Sequence, residues 1–244
     1  MLSIIVPKGV ITFQRRYINP NNLPNWSKCD TQFSTMKFHV SSTGMIEKNG
    51  AGMLQVDFAN KFLGGGVLGH GCVQEEIRFV TCPELIVGRL FMEYLKPEEA
   101  VLMVGCEQFC NHKGYAQTFE WTGPHNDATP SDEFRRKMCG IVAIDAYQFH
   151  DNSEQYKELR MRRELNKAYV GFINDLSTIG PCVASGNWGC GAFGGIATLK
   201  ALLQMMACVI CKRNLSYFTF GDDDLRDKLF EVYTFLVEKK IRVC

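Results

Sequence analysis

The sequence predicts an α/β layered fold built on a largely parallel sheet. Three observations carry that reading. Short apolar runs of strand character alternate with longer stretches of helical period. Two of those runs lead straight into glycine-rich turns, VDFANKFLGGG and VASGNWGCGAFGG, the pattern expected where strands feed helices. No Pro-, Gly- or Ser-rich linker interrupts the 244 residues, so residues 1–244 are expected to form a single domain large enough for a sizeable core.

Taken in order, residues 9–13 (GVITF) and 36–40 (MKFHV) read as short strands, with an Asn/Pro-rich surface loop over 19–28 between them. Residues 41–52 read as a loop with Gly44, Asn49 and Gly50 as its turn residues. Met53 to Phe58 is a strand that delivers Asp57 and Asn60 to its C-terminal end. Gln74 to Val80 is a short helix. Thr81 and Glu84 have capping-box spacing, Pro83 suits a first turn, and Leu85, Ile86, Leu90, Phe91 and Tyr94 supply a helical stripe. Strands are expected at 100–104, 116–121 and 141–146, with a polar, proline-containing loop over 123–132.

The stretch 159–173 has a clear helical period in Met161, Leu165, Ala168, Tyr169 and Phe172, which places Arg160, Arg162, Arg163 and Glu164 mostly outside, as a solvated face. A strand at 182–185 enters the second glycine loop. The helix after it, 196–210, is apolar almost all round and so deeply packed. Residues 216–220 form a last strand, and Gly221 begins a turn. Asp222, Asp223 and Asp224 open the final helix, and Lys239 and Lys240 close it, as the helix dipole favours.

Composition narrows the function. With 27 basic against 26 acidic residues, the net charge of +1 lacks the excess expected of a non-specific nucleic-acid binder. An anionic ligand would then be held by backbone amides. The 11 cysteines form no even framework, and MLSIIVPKG breaks at Pro7 without a basic start, so reduced thiols inside a cell are expected. No apolar run reaches membrane-spanning length. Cys208 and Cys211 lie in an apolar helical run, and Cys106, Cys110 and His112 lack a matching fourth ligand, so packing is the simpler reading and no metal is expected. His70 and Cys72 lack an identifiable orienting group and read as loop filling rather than as a nucleophile and its base.

The chemistry concentrates in two places. In the first, Gly64, Gly65 and Gly66 are followed after seven residues by Gln74, Glu75 and Glu76 at a helix start. A glycine run by itself marks only a tight turn; here one short loop must place both an anion cradle and paired carboxylates. Adjacent carboxylates point about 100° apart on a helix, which does not suit the opposed pair of an ordinary glycosidase, and two acids at a helix start are also what the dipole favours. In the second, residues 186–195 carry five glycines in ten and feed a helix N-terminus, a phosphate-binding arrangement. It lacks the Lys-Ser/Thr of a P-loop and the partner acid of a dinucleotide fold. A diphosphate held without lysine, metal or cofactor is the inference, with Phe193, Phe220 and Tyr115 as candidate aromatics. Both loops are expected to converge on that one diphosphate.

Together GGG-(seven residues)-QEE preceded by VDFAN, GNWGCGAFGG and YFTFGD resemble the motifs of poly(ADP-ribose) glycohydrolases, over nearly the whole chain from about Gly9. The resemblance implies a macrodomain: a three-layer α/β/α sandwich around a mixed, largely parallel sheet. It also implies hydrolysis of ribose–ribose O-glycosidic bonds in poly(ADP-ribose), mainly from the chain end. By position, Glu76 resembles the catalytic acid/base, Glu75 its ribose-orienting partner, and Asp57 and Asn60 residues that support the site and bind the terminal ribose. Gln74, Ile46 and Glu47 match adenine contacts, and Tyr115 and Phe220 the aromatics around that base. Asn187, Trp188, Gly189, Cys190, Gly191 and Ala192 match the diphosphate loop, with Phe193 beside the reacting ribose.

The resemblance further implies poly(ADP-ribose) and ADP-ribosylated proteins as substrates, a place in the DNA damage response, a monomer with no direct DNA or membrane binding, and a location in nucleus or cytoplasm. Against the family the chain looks truncated at both ends, with only Met1 to Lys8 ahead and an early end at Cys244. The rival reading is a non-catalytic ADP-ribose-binding macrodomain.

Overall fold

The computed structural model describes residues 9–174 and 179–243; the leading MLSIIVPK and the terminal Cys244 lie outside them. The alternation of apolar residues along the strands builds two cores on opposite faces of one sheet. In β4 (Glu99–Val104) Ala100, Leu102 and Val104 face one core, and Val101 and Met103 face the other. In β7 (Gly140–Asp145) Val142 and Ile144 divide from Ile141 and Ala143 in the same way. The first core takes α3 (Glu158–Phe172) and α4 (Ala197–Ile210) through Leu165, Ala168, Leu203 and Met205, together with Leu225 and Leu229 of α5 (Asp223–Glu238). The second takes α2 (Gln74–Thr81) through Phe79, and Leu85 of the 3-10 segment Pro83–Leu90. This is the expected α/β/α sandwich.

The remaining strands are β1 (Thr12–Tyr17), β2 (Phe38–Ser41), β3 (Leu54–Ala59), β8 (Cys182–Gly186) and β9 (Asn214–Phe218). The seven-stranded order is β1-β4-β7-β3-β8-β9-β2, antiparallel at β1/β4 and β4/β7 and parallel elsewhere. The sheet is therefore mixed and mostly parallel.

One pairing positions everything that follows. Strands β3 and β8 pair only at Leu54–Val183 and Gln55–Ala184 and then part. The side-chain amide of Gln74 takes over at the free edge of β3, accepting from the Phe58 N–H at 2.8 Å and donating to the Val56 carbonyl at 3.1 Å. The cleft between the C-terminal ends of parallel strands is where ligands enter such sheets.

Several local expectations shift. The first strand is Thr12–Tyr17 rather than 9–13, because it registers against β4 from Thr12↔Val104 to Tyr17↔Glu99. Residues 41–52 contain a short helix, α1 (Ile46–Asn49). Instead of a strand at 116–121 there is a hairpin of β5 (Cys110–Lys113) and β6 (Glu120–Pro124), separated by a 3-10 turn at Ala116–Thr118. Thr81 is no N-cap: its hydroxyl donates to Arg78 O, and the Glu84 carboxylate accepts from Glu107 N. The last strand ends at Phe218, so Phe220 lies beyond it. The solvated face expected on α3 is half internal: Glu164 is buried, and Arg163 reaches Asp145 at 2.6 Å.

Candidate active site

A cavity of about 410 Å3 opens where β3 and β8 part. Its floor and walls come from Ile46 and Glu47 of α1, Phe58 and Ala59 of β3, Val73, Gln74 and Ile77, and residues Gly186 to Phe193 of the second glycine loop. His112, Tyr115, Phe218 and Phe220 complete it. The Tyr115 and Phe220 rings lie 5.2 Å apart with planes at 59° at the rim, Tyr115 about one-third exposed and Phe220 more so. Phe220 has φ +58 and Gly221 φ +88. Leaving the strand through this left-handed pair turns the Phe220 ring out to the cavity rather than into the sheet.

The second loop is built as an open cradle. Its own hydrogen bonds are tight turns: Cys190 N to Asn187 O, Gly194 N to Gly191 O and Gly195 N to Gly189 O, at 3.0, 3.0 and 2.8 Å. The amides of Gly189, Gly191, Ala192 and Phe193 have no acceptor among the described residues, and all four residues line the cavity. Such a row of free N–H groups ahead of α4 suits an anion. A Cβ on Gly191 would meet nothing within 4 Å, so this stretch of the loop faces open space. Asn187 is fixed by the Tyr217 hydroxyl at 3.0 Å and by Thr219 O at 3.2 Å.

Trp188, expected as part of the diphosphate loop, turns its side chain into the core. It is fully buried, its indole N–H donates to Ile144 O at 2.9 Å, and the Lys200 ammonium sits 3.8 Å from its ring centroid. Its contribution to the cavity wall is therefore structural. Lys200 is ion-paired with Glu164, which Arg163 also engages at 2.6 Å, and Arg163 and Lys167 both hold Asp145. Burial pushes the Lys200 ammonium down against the pull of Glu164. This buried network, under the loop, was missed from the sequence; a lone Lys in the apolar run TLKALL was the available signal.

The first loop departs from the expected anion cradle, because its N–H groups already serve the protein's own acids. Glu75 accepts from Gly64 N at 2.6 Å and Asn60 N at 2.8 Å. Glu76 accepts from Gly66 N at 2.9 Å and reaches back to Val73 N at 3.0 Å, as the third residue of α2 capping its own helix start. Gly65 has φ +47, and a Cβ there would fall 2.4 Å from a Glu76 carboxylate oxygen and 2.8 Å from one of Glu75. Gly71 presses on Glu76 from the other side. The loop is thus a mould for two carboxylates, and Gly64, Gly65 and Gly66 do not line the cavity. Asn60 likewise holds the turn, its side chain accepting from Phe62 N at 3.0 Å.

Behind the pair lies Asp57, fully buried, with neither carboxylate oxygen hydrogen-bonded among the described residues. Burial raises its pKa to about 8; Arg78 works against that and Glu76 with it. Burial and Asp57 likewise push Glu75 well above the carboxylate range, opposed by the Asn60 and Gly64 amides. Glu76 stands within electrostatic reach of Tyr115 on the cavity rim, whose hydroxyl is raised by burial and further by Glu76. Of the predicted residues, the structure thus brings Ile46, Glu47, Gln74, Tyr115, Phe220 and the second loop around one cavity. None of Glu75, Glu76, Asp57 and Asn60 lines it: their chain neighbours Phe58, Ala59, Val73, Gln74 and Ile77 do, while Asp57, Glu75 and Glu76 are buried.

Comparison with known proteins bears on both halves. Residues 23–227 match the family model described as poly(ADP-ribose) glycohydrolase, macro domain fold. The chain is similar to poly(ADP-ribose) glycohydrolase 1 of Arabidopsis thaliana, at 34% identity over 91% of this chain and 52% of the relative. It is similar to poly(ADP-ribose) glycohydrolase 2 of Caenorhabditis elegans, at 37% identity over 99% of this chain and 52% of the relative. The chain thus spans about half the length of these curated relatives. Among solved structures it resembles an Oceanobacillus iheyensis macrodomain with ADP, at TM-score 0.54 and 13% identity, over 95% of this chain and all of the other. It also resembles a poly(ADP-ribose) glycohydrolase variant from Deinococcus radiodurans in complex with ADP-ribose, at TM-score 0.51 and 12% identity, over 92% and 94%. At that identity the structural likeness speaks for the fold.

Proposed function

The chain belongs to the poly(ADP-ribose) glycohydrolase family, and from that premise and the site geometry we propose that it hydrolyses the ribose–ribose O-glycosidic bonds of poly(ADP-ribose), mainly from the chain end. One observation carries the proposal: the helix start that holds Glu75 and Glu76 in a glycine mould lines, through Val73, Gln74 and Ile77, the same cavity as the row of free amides from Gly189 to Phe193. The diphosphate of a terminal ADP-ribose unit sits on Gly189 to Phe193, and its adenine lies between Tyr115, Phe220 and the Ile46–Glu47 wall. Glu76 protonates the departing ribose oxygen and then takes a proton from the attacking water. The bound diphosphate helps stabilise the oxocarbenium-like sugar that forms between these events. Glu75 orients the ribose, and Asp57 supports it from behind.

The proposal treats residues 1–244 as one catalytic unit acting as a monomer, without direct DNA binding, in the nucleus or cytoplasm. The near-neutral net charge supports the absence of a DNA track. Among the described residues no helix is long and apolar enough to cross a membrane. The test is release of ADP-ribose from labelled poly(ADP-ribose), with Glu76→Gln as control. Gln keeps an acceptor for one of the Gly66 and Val73 N–H groups, which Glu76 meets with separate oxygens, and cannot donate the proton as an acid. Release that disappears in the variant supports the glycohydrolase; ADP-ribose binding without release by the unaltered chain would make it a binding module.

A further inference from the structure

Towards the C-terminal end of α2, three cysteines from separate segments meet one arginine. Cys82 caps the C-terminus of α2. Cys106 follows β4 through Gly105, and Cys139 immediately precedes β7. The two strand ends are neighbours: Val104 pairs with Gly140, and Gly105 N donates to Cys139 O at 3.1 Å. The Cys106 thiol points at the Cys139 sulfur from 4.0 Å. Arg78, itself buried on α2, donates to Cys139 Sγ at 3.2 Å. Adjacent strand ends of this kind fall within the range a disulfide can span once the sulfurs close.

The two sulfurs are not equivalent. Cys106 is buried, whereas Cys139 is partly exposed. The hydrogen bond from Cys106, and after it the charge of Arg78, draw Cys139 down to about 6 against burial and the repulsion of Asp127. The same bond holds Cys106 well above the usual thiol value. A thiol drawn down in a partly exposed residue, 4.0 Å from a buried thiol that is held up, is the arrangement of an attacking and a resolving cysteine.

We propose that Cys139 and Cys106 are a peroxide-oxidisable pair that closes a disulfide between the ends of β4 and β7 and takes from Arg78 its sulfur partner. The Cys139 thiolate attacks one peroxide oxygen, forming sulfenic acid and releasing hydroxide. Cys106 sulfur then displaces the sulfenic oxygen, which leaves as water with the Cys106 proton. Two thiols lose two electrons in all, and hydrogen peroxide, the oxidant, is reduced to water. The consequence runs along α2. The Arg78 charge, no longer opposed by a thiolate, acts on Asp57, whose oxygens have no other partner among the described residues. Oxidation therefore favours an extra ionised carboxylate behind Glu75 and Glu76.

The whole chain is treated with hydrogen peroxide, free thiols are alkylated, and the digest is mapped by mass spectrometry. A Cys106–Cys139 linked peptide is expected, reversed by dithiothreitol and absent from Cys106→Ala and Cys139→Ser. In Cys106→Ala, dimedone is expected to trap a sulfenic acid on Cys139. The alkylation rate of Cys139 is expected to have levelled off by pH 7. No linked peptide, or one joining Cys82 to Cys106, overturns the pair. The downstream effect rests on the glycohydrolase reading: linked protein should release ADP-ribose several-fold more slowly, with recovery on reduction and no such loss in Cys139→Ser. An unchanged rate in fully linked protein overturns the Arg78 coupling. Because the linked peptide is read without turnover, failure of the pair and failure of the glycohydrolase reading are distinguishable.

Discussion

The two glycine-rich loops carry five glycines each and put them to opposite uses. In the first, the amides of Gly64 and Gly66 end on Glu75 and Glu76, so the loop's anion is part of the protein. In the second, the amides of Gly189, Gly191, Ala192 and Phe193 have no acceptor among the described residues, so an anion held there would come from outside. Both exploit what glycine permits, close approach of backbone N–H to negative charge. The difference is whether a side chain arrives first. Ten residues after Gly66, the first turn of α2 brings Glu76 back onto the loop. The second loop is followed by Ile196 and Ala197, and α4 offers no acid in its first turn. On the proposed reading one loop fixes catalytic groups and the other fixes substrate, and substitutions should separate chemistry from binding accordingly.

The largest effect belongs to Glu76→Gln. Loss of general acid–base action should lower kcat by about a thousandfold, while calorimetry shows ADP-ribose affinity kept within about twofold. A parallel loss of affinity would mean that the first loop holds ligand after all. Gly65→Ala is next. Its Cβ would press on both carboxylates from a left-handed backbone, so kcat should fall by about a hundredfold through misplacement and stability by roughly 1–2 kcal/mol. Binding should again be spared, which reverses what an anion cradle at Gly65 would predict. Gly191→Val is the mirror case: the new side chain enters open space, so the thermal midpoint stays put while ADP-ribose affinity falls about tenfold, or about 1.4 kcal/mol. A variant that unfolds, or that binds normally, would remove the second loop from the diphosphate.

How far these roles were legible in the sequence follows from the same contrast. The glycines, the acids and their spacing sit in single stretches, so the motifs and the sandwich were readable. Which amide meets which oxygen depends on side-chain direction after the chain folds, and there the expectation of two converging cups gave way. Gln74 shows the limit well: its amide is committed to the free edge of β3, a need that exists only because β8 departs. The β5–β6 hairpin escaped because its strands are polar and exposed, with no alternation to read. Phe220 looked like the end of a strand, and only its positive φ shows it turning outward. Glu164 and Arg163 looked like a solvated face because their partners, Asp145 and Lys200, lie far off in sequence.

A last test asks what the first loop encloses rather than what it touches. Asp57 titrates near 8 in the fold and near 3.8 when exposed. Between those values the folded state holds a proton that the unfolded chain has released, so stability declines as pH rises from about 4 to about 8, by at most about 1.4 kcal/mol per unit. Above 8 both states are ionised and the slope ends. Glu75, raised chiefly by burial and by Asp57, acts in the same sense. Asp57→Asn removes the Asp57 contribution and relieves Glu75, so urea midpoints measured across that window should flatten relative to the unaltered chain. Equal slopes in the two proteins would mean that Asp57 is already ionised beside Arg78. The mould would then enclose a third negative charge rather than a neutral acid.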